Sequence, residues 1–260
     1  MLDKLTLYAL TYAISLQRMF KETPMSSPKR LARIAGFLYL LNGVFSGFAF
    51  GYVLTKVYVP GNAAATAANL VANSGLARAG VVADLFQAAE WAFLAMALYL
   101  LLRHVHEGAA RAMVVLVAIG SAITCLNEVF QFESIRVATD PSYTTALGAA
   151  GSNSLELLLL DIHHYGFLIA QIFFGLWLVP FGYLAYKSGM FPKALGIALI
   201  VGAACYVAGM LAVFLIPDSG ENINAFITIP SAIAEISMVL YLLVIGVKTP
   251  KPVARVLAAA

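Results

Sequence analysis

Five ionisable residues stand inside runs of apolar sequence: Glu90, Glu128, Asp161, His164 and Glu235. Crowded carboxylates share protons, so a neutral acid can stand beside an ionised one, and that pairing is what general acid–base chemistry requires. A protonated carboxyl facing aromatic walls can protonate an alkene or epoxide, which points to an isoprenoid-like molecule. Trp91, Phe130, Phe132, Phe167, Phe173 and Tyr206 are candidate walls. Asp84, Gln87, Asn127, Gln131 and Gln171, with Trp91, are the candidate ligand contacts beside the five.

Helical spacing supports the grouping. Asp161, His164, Leu168 and Gln171 recur at three- and four-residue intervals, as do Thr124, Glu128 and Gln131, and Asp84, Gln87 and Trp91. His163 is turned about 100° from His164, so it is expected to bond at a neighbouring helix interface and not to join the pocket. Asp161 and His164 have the i, i+3 spacing found in bundle di-metal sites, where two such motifs are used. This chain has a single copy of it, so no metal is expected; were one bound, Asp161, His164 and Glu128 would be its ligands. The sequence names no cofactor. Asn42, Thr124, Asn127 and Gln171 also read individually as interhelical hydrogen bonders, worth about 0.6 kcal/mol each.

The elements that carry these residues follow from composition. Of 260 residues, 62% are hydrophobic and 11% charged, and the mean hydropathy is +0.88. Soluble domains are about half apolar and about one-quarter charged. The chain is therefore expected to be an all-α polytopic membrane protein. Segments of about 20 apolar residues suffice to span a bilayer, and six qualify: residues 34–55, 79–102, 112–135, 154–186, 194–216 and 225–247. Residues 1–24 are apolar for too short a run to cross, and are expected to form an interfacial helix or upstream segment. Residues 25–250 form the six-helix membrane domain and 251–260 a cytoplasmic tail.

Placing both termini in the cytoplasm puts 13 of the 16 Lys and Arg inside, leaving Lys56, Arg78 and Arg136 outside. The net charge of +3 thus reads as a topology signal and not as a nucleic-acid footprint. Cys125 and Cys205 lie in apolar runs and read as packing residues. Asn153 and Glu156 have capping-box spacing at the expected start of the fourth helix, and Ser74 sits where the second could be capped. Pro180 and Pro230 should kink the helices that contain them. The segments "VPGNAAATAANLVANSG" and "ATDPSYTTALGAAGS" read as the longer outer loops, and Glu133 with Arg136 as a surface ion pair.

Depth then joins the acids. At about 1.5 Å of rise per residue, Asp84 lies about 8 Å, Glu128 about 11 Å and Glu90 about 16 Å below the outer helix ends. Asp161 lies about 10 Å down, and His164 and Glu235 about 15 Å. A charge at the bilayer centre costs on the order of 3 kcal/mol to insert, so such groups face the bundle interior or a water-filled cavity. One shared polar pocket, open toward the outer leaflet, is the expectation. Walker, Gly-x-Ser-x-Gly, His-Glu-x-x-His and dinucleotide-binding motifs do not occur in the sequence.

From "SSPKRLARIAGFLYLLNGVFSGFAFGY" through "LLLLDIHHYGFLIAQIFFGLWLVPFGYLAYKSGMFPKALG" to "AEISMVLYLLVIGVKTP", the chain resembles the bacterial integral membrane family known as domain of unknown function 4386. The resemblance covers the chain from Met25 onward. It implies a helical membrane protein in a bacterial cytoplasmic membrane, and no activity. The reading is thus a six-transmembrane-helix bundle that binds or transforms a small apolar or lipid-like molecule by acid–base chemistry. A proton-coupled transporter and an accessory membrane subunit are the alternatives. Membrane lipid and a small apolar ligand are the expected partners, nucleic acid is not, and self-association is compatible with the sequence.

Overall fold

In hydrocarbon every backbone N–H and C=O must be satisfied within its own segment, so a chain this apolar crosses as helices. The computed structural model describes residues 27–248. Among them, six helical spans are long and apolar enough to cross a membrane: Pro28–Val57, Ser74–Leu102, Glu107–Thr139, Pro141–Ser188, Lys193–Leu215 and Gly220–Val244. The expected interfacial helix over 1–24 and the tail over 251–260 lie outside the described residues.

The first span is α1, Pro28–Val57, whose turns over Gly47–Leu54 widen to a π-helix. It is followed by α2 (Ala63–Ala72), α3 (Ser74–Leu102) and α4 (Glu107–Thr139). The fourth span consists of α5 (Pro141–Leu176) and α6 (Leu178–Ser188), and the fifth is α7 (Lys193–Leu215). The sixth comprises α8 (Gly220–Ile227) and α9 (Ile229–Val244).

Local chemistry sets these boundaries. The Ser27 hydroxyl accepts from the Arg30 N–H ahead of Pro28, and His106 Nδ1 accepts from the Ala109 N–H at 3.0 Å to cap α4. Asp140 caps α5 by accepting from the Ser142 N–H at 2.9 Å, which holds its carboxyl below the usual aspartate range. Pro180 and Pro230 break their spans as expected, at Trp177 and Thr228. Each proline lacks a donor, and its ring displaces the carbonyl four residues back.

Two expected outer loops are helical instead. Residues 63–72 form α2 behind an Asn62 cap, since an alanine-rich stretch has high intrinsic helix propensity. The fourth span starts at Pro141 and not near 154, with one kink at Gly148, where φ is 70°. Asn153 and Glu156 therefore form no capping box. Glu156 lies within the helix and accepts from the Ser152 hydroxyl at 3.2 Å. Ser74 begins α3, but the capping position falls on Asn73, which makes no side-chain cap. Glu133 and Arg136 do pair, at 2.9 Å on the surface.

Each span packs against its neighbour in sequence, and α9 returns to α1 to close a ring. Inside the ring lie two apolar clusters. The larger gathers Leu98, Met113, Trp177, Phe181 and Met238, and the smaller Leu54, Leu70, Val81, Ile135 and Leu160. Between them runs a polar layer, supplied by the stretches from Val81 to Trp91 on α3, Val117 to Ile135 on α4 and Leu160 to Leu176 on α5. Phe37, Phe86, Phe93, Leu126 and Phe226 are exposed on the outside, where a lipid-facing surface would place them.

The closest approach in the layer is between α4 and α5. Asn127 Nδ2 donates to the His163 carbonyl at 2.7 Å, and a Cβ on Gly166 would fall on Asn127 Oδ1. Gly166→Ala is expected to destabilise by about 1–3 kcal/mol, the range for overpacked interiors. Thermal unfolding in detergent reads this as a lower midpoint. Gly43→Ala, whose Cβ would meet open space, should not lower it. Equal midpoints for Gly166→Ala and the parent protein would contradict the tight approach.

Candidate functional site

Most of the candidate residues fall into three groups. The first joins Asp84 of α3, Glu128 of α4 and His163 of α5, with one ligand-type atom from each lying within 4.8 Å of the others. His163 Nε2 and Glu128 Oε1 are 2.9 Å apart, and none of the three residues exceeds 2% exposure. Glu128 Oε2 and His163 Nδ1 are buried without a hydrogen-bond partner. The Phe50 ring stacks on the imidazole at 5.7 Å and 12°. Beside the group, Gln131 Nε2 donates to the Ala77 carbonyl at 3.4 Å, and Asn127 anchors the backbone of His163.

The second group surrounds a cavity of about 120 Å³. Its polar lining includes Asn42, Gln87, Gln171 and Glu235, and its aromatic walls are Trp91, Phe167, Phe174 and Trp177. Glu235 is held from two sides: Tyr39 donates its hydroxyl to Oε2 at 2.5 Å, and Tyr206 donates to Oε1 at 2.8 Å. Gln171 Nε2 reaches the Tyr206 carbonyl at 2.9 Å and Asn224 Oδ1 at 2.8 Å. Carboxylate, phenols and amides thus form one connected network at the edge of an aromatic chamber.

The third group lies at the end of the bundle where α1 gives way to the α2 connection and α8 begins. Tyr58 donates to Asp161 Oδ1 at 2.6 Å, and His164 Nε2 is 3.0 Å from Glu221 Oε1. Burial and the bond to Asp161 push the Tyr58 phenol well above its ordinary range. The side chain of Glu221 is 57% exposed and that of His164 23%, so this group meets its surroundings and not the core.

The sequence-derived candidates are thus distributed as follows. Glu235, Gln87, Trp91 and Gln171 share the cavity, and Asp84 and Glu128 meet in the buried group beside Asn127 and Gln131. Asp161 and His164 bond instead in the third group, away from Glu128. Glu90 is buried with neither carboxylate oxygen hydrogen-bonded, and it does not line the cavity. The three residues that could hold a metal are therefore Asp84, Glu128 and His163, and not the set Asp161, His164 and Glu128.

His163 occupies that place for a steric reason. It shares a helix face with Leu160, Gly166 and Ala170, and the small residues of that face are what allow α4 to approach. The row of small and buried positions was the available signal, and it outweighs the polar stripe through His164. Glu156, whose spacing imitates a cap, lies on the same buried face at 2% exposure.

Together, the ring of spans and the buried acids and histidine define a multi-pass membrane protein with ionisable groups in its interior. Residues 34–246 match the family described as Domain of unknown function (DUF4386), and the chain belongs to that family. No curated protein and no solved structure matches the chain.

Removing one phenol from Glu235 leaves one carboxylate oxygen without its donor. Tyr39→Phe and Tyr206→Phe are each expected to lower stability by about 1–3 kcal/mol, the range for leaving a buried hydrogen-bonding group unsatisfied. Midpoints in a denaturant series on the detergent-solubilised protein measure the loss. A midpoint unchanged in both variants would mean that the carboxylate finds its donors elsewhere.

Proposed function

We propose that the protein binds a small, largely apolar molecule with one polar end in the Glu235 cavity, and that Glu235 meets that end as hydrogen-bond acceptor or proton donor. The observation that carries this reading is the carboxylate held by two phenols at the edge of a chamber walled by two tryptophans and two phenylalanines. Apolar walls with a few convergent polar groups are the usual make-up of a small-molecule site. A cavity of about 120 Å³ admits several waters or one end of a longer, lipid-like molecule. An isoprenoid chain suits the aromatic walls, its remainder lying between helices.

Gln87, Gln171 and Trp91 are the contacts in this reading. Asp84, Glu90, Glu128, Asn127 and Gln131 belong to the same polar layer and supply further proton-accepting groups. In this reading the membrane domain spans 25–250 in a bacterial cytoplasmic membrane with both termini inside, an orientation that the excess of Lys and Arg on that side supports. The third group, with Asp161 and His164, then faces the outside. A second reading, proton-coupled transport, draws on the several acids placed between that outer group and the cavity. Its signature is pH-dependent uptake into liposomes that is lost in Asp161→Asn.

Native mass spectrometry of the protein from its own membranes tests the binding reading. A retained small apolar molecule at one per chain is expected, and it should disappear in Ser46→Phe, which fills the cavity from its lining. A wild-type protein that carries no such molecule, or a Ser46→Phe protein that retains it fully, would sink this reading.

A further inference from the structure

We propose that Asp84, Glu128 and His163 bind one divalent transition-metal cation of the zinc class. The proposal is independent of the Glu235 cavity and does not rest on its having a ligand. Three spans each contribute one residue, and the three candidate ligand atoms lie within 4.8 Å of one another. Carboxylate oxygen and imidazole nitrogen bind zinc at about 2.0–2.2 Å, which sets neighbouring ligand atoms about 3.3–3.5 Å apart. Seating the ion therefore means widening the 2.9 Å contact between His163 Nε2 and Glu128 Oε1 by a few tenths of an ångström.

Charge supplies the reason. Two carboxylates stand here at 2% exposure, and among the described residues no Lys or Arg pairs with either. Glu128 Oε2 is buried and has no partner, and a buried unsatisfied oxygen of this kind calls for an ion or a proton. A divalent cation neutralises both carboxylates at once. A proton shared between the acids neutralises one of the two charges, and it is the competing arrangement.

The imidazole narrows the class. Oxygen ligands alone suit magnesium or calcium, whereas a nitrogen among them favours zinc and its neighbours. His163 is also fixed in place, through its carbonyl by Asn127 and through its ring by Phe50. Three protein ligands leave the fourth tetrahedral position for water or for an anionic group, as in sites that act on what they bind.

The test uses the full chain without an affinity tag, reconstituted in lipid nanodiscs, stripped by chelator and titrated with zinc, with bound metal quantified. Stoichiometric zinc is expected in the parent protein and in His164→Ala, and its loss in His163→Gln and Glu128→Gln. A parent protein that takes up no stoichiometric zinc overturns the proposal and favours the shared proton. So does zinc held undiminished in both variants. Should the variants not fold, X-ray absorption of the zinc-loaded parent decides: one imidazole with oxygen ligands supports the site, and sulfur ligation or an all-oxygen shell overturns it.

Discussion

An ionisable side chain in hydrocarbon needs a partner at its own depth, and the interior of this protein is built around that requirement. Asp84, Glu90, Glu128 and His163 are all under a tenth exposed, inside a chain with 11% charged residues. Apolar clusters above and below confine them to one layer. Low local dielectric strengthens every hydrogen bond made there and raises the cost of each one left unmade. That is why Glu235 takes two phenols, and why the unpartnered oxygens of Glu90 and Glu128 stand out.

The rotation of α5 decides which residues enter the layer. Asn127 sits against Gly166, and a Cβ at that glycine would displace the Asn127 amide that donates to the His163 carbonyl. Fixing this contact turns His163 toward Glu128 and leaves His164 facing Glu221. Adjacent histidines thus receive opposite environments from one close approach. Membrane helices commonly meet at small residues in this way, because lipid offers no hydrophobic drive to hold them together.

Much of this architecture is legible in the sequence, for physical reasons. The bilayer imposes a length on every span, so six apolar runs declare six crossings, and Pro180 and Pro230 declare their breaks. Facing is different in kind. Spacing along α5 gives the angle between His163 and His164 but does not say which angle meets α4, and that answer lies in the Gly166 contact. The start of the fourth span moved for another reason: the beginning of α5 is helical ahead of the apolar run, where hydropathy carries no signal.

Two aromatic rings join the separate groups into one arrangement. Phe50 stacks on the His163 imidazole and also contacts Phe167, and Phe167 is a wall of the Glu235 cavity. Phe50 comes from the π-helical stretch of α1, where the extra residue per turn shifts side chains away from the positions a regular helix would give them. The widened turn thereby sets a ring between the buried triad and the cavity. An apolar partition of this kind keeps the two polar groups from hydrogen-bonding to each other directly. Because Phe167 borders the cavity and packs on the ring that holds His163, displacing it from the cavity side also disturbs the packing of the histidine. The geometry of the cavity and the geometry of the triad are therefore mechanically linked through side chains that carry no charge.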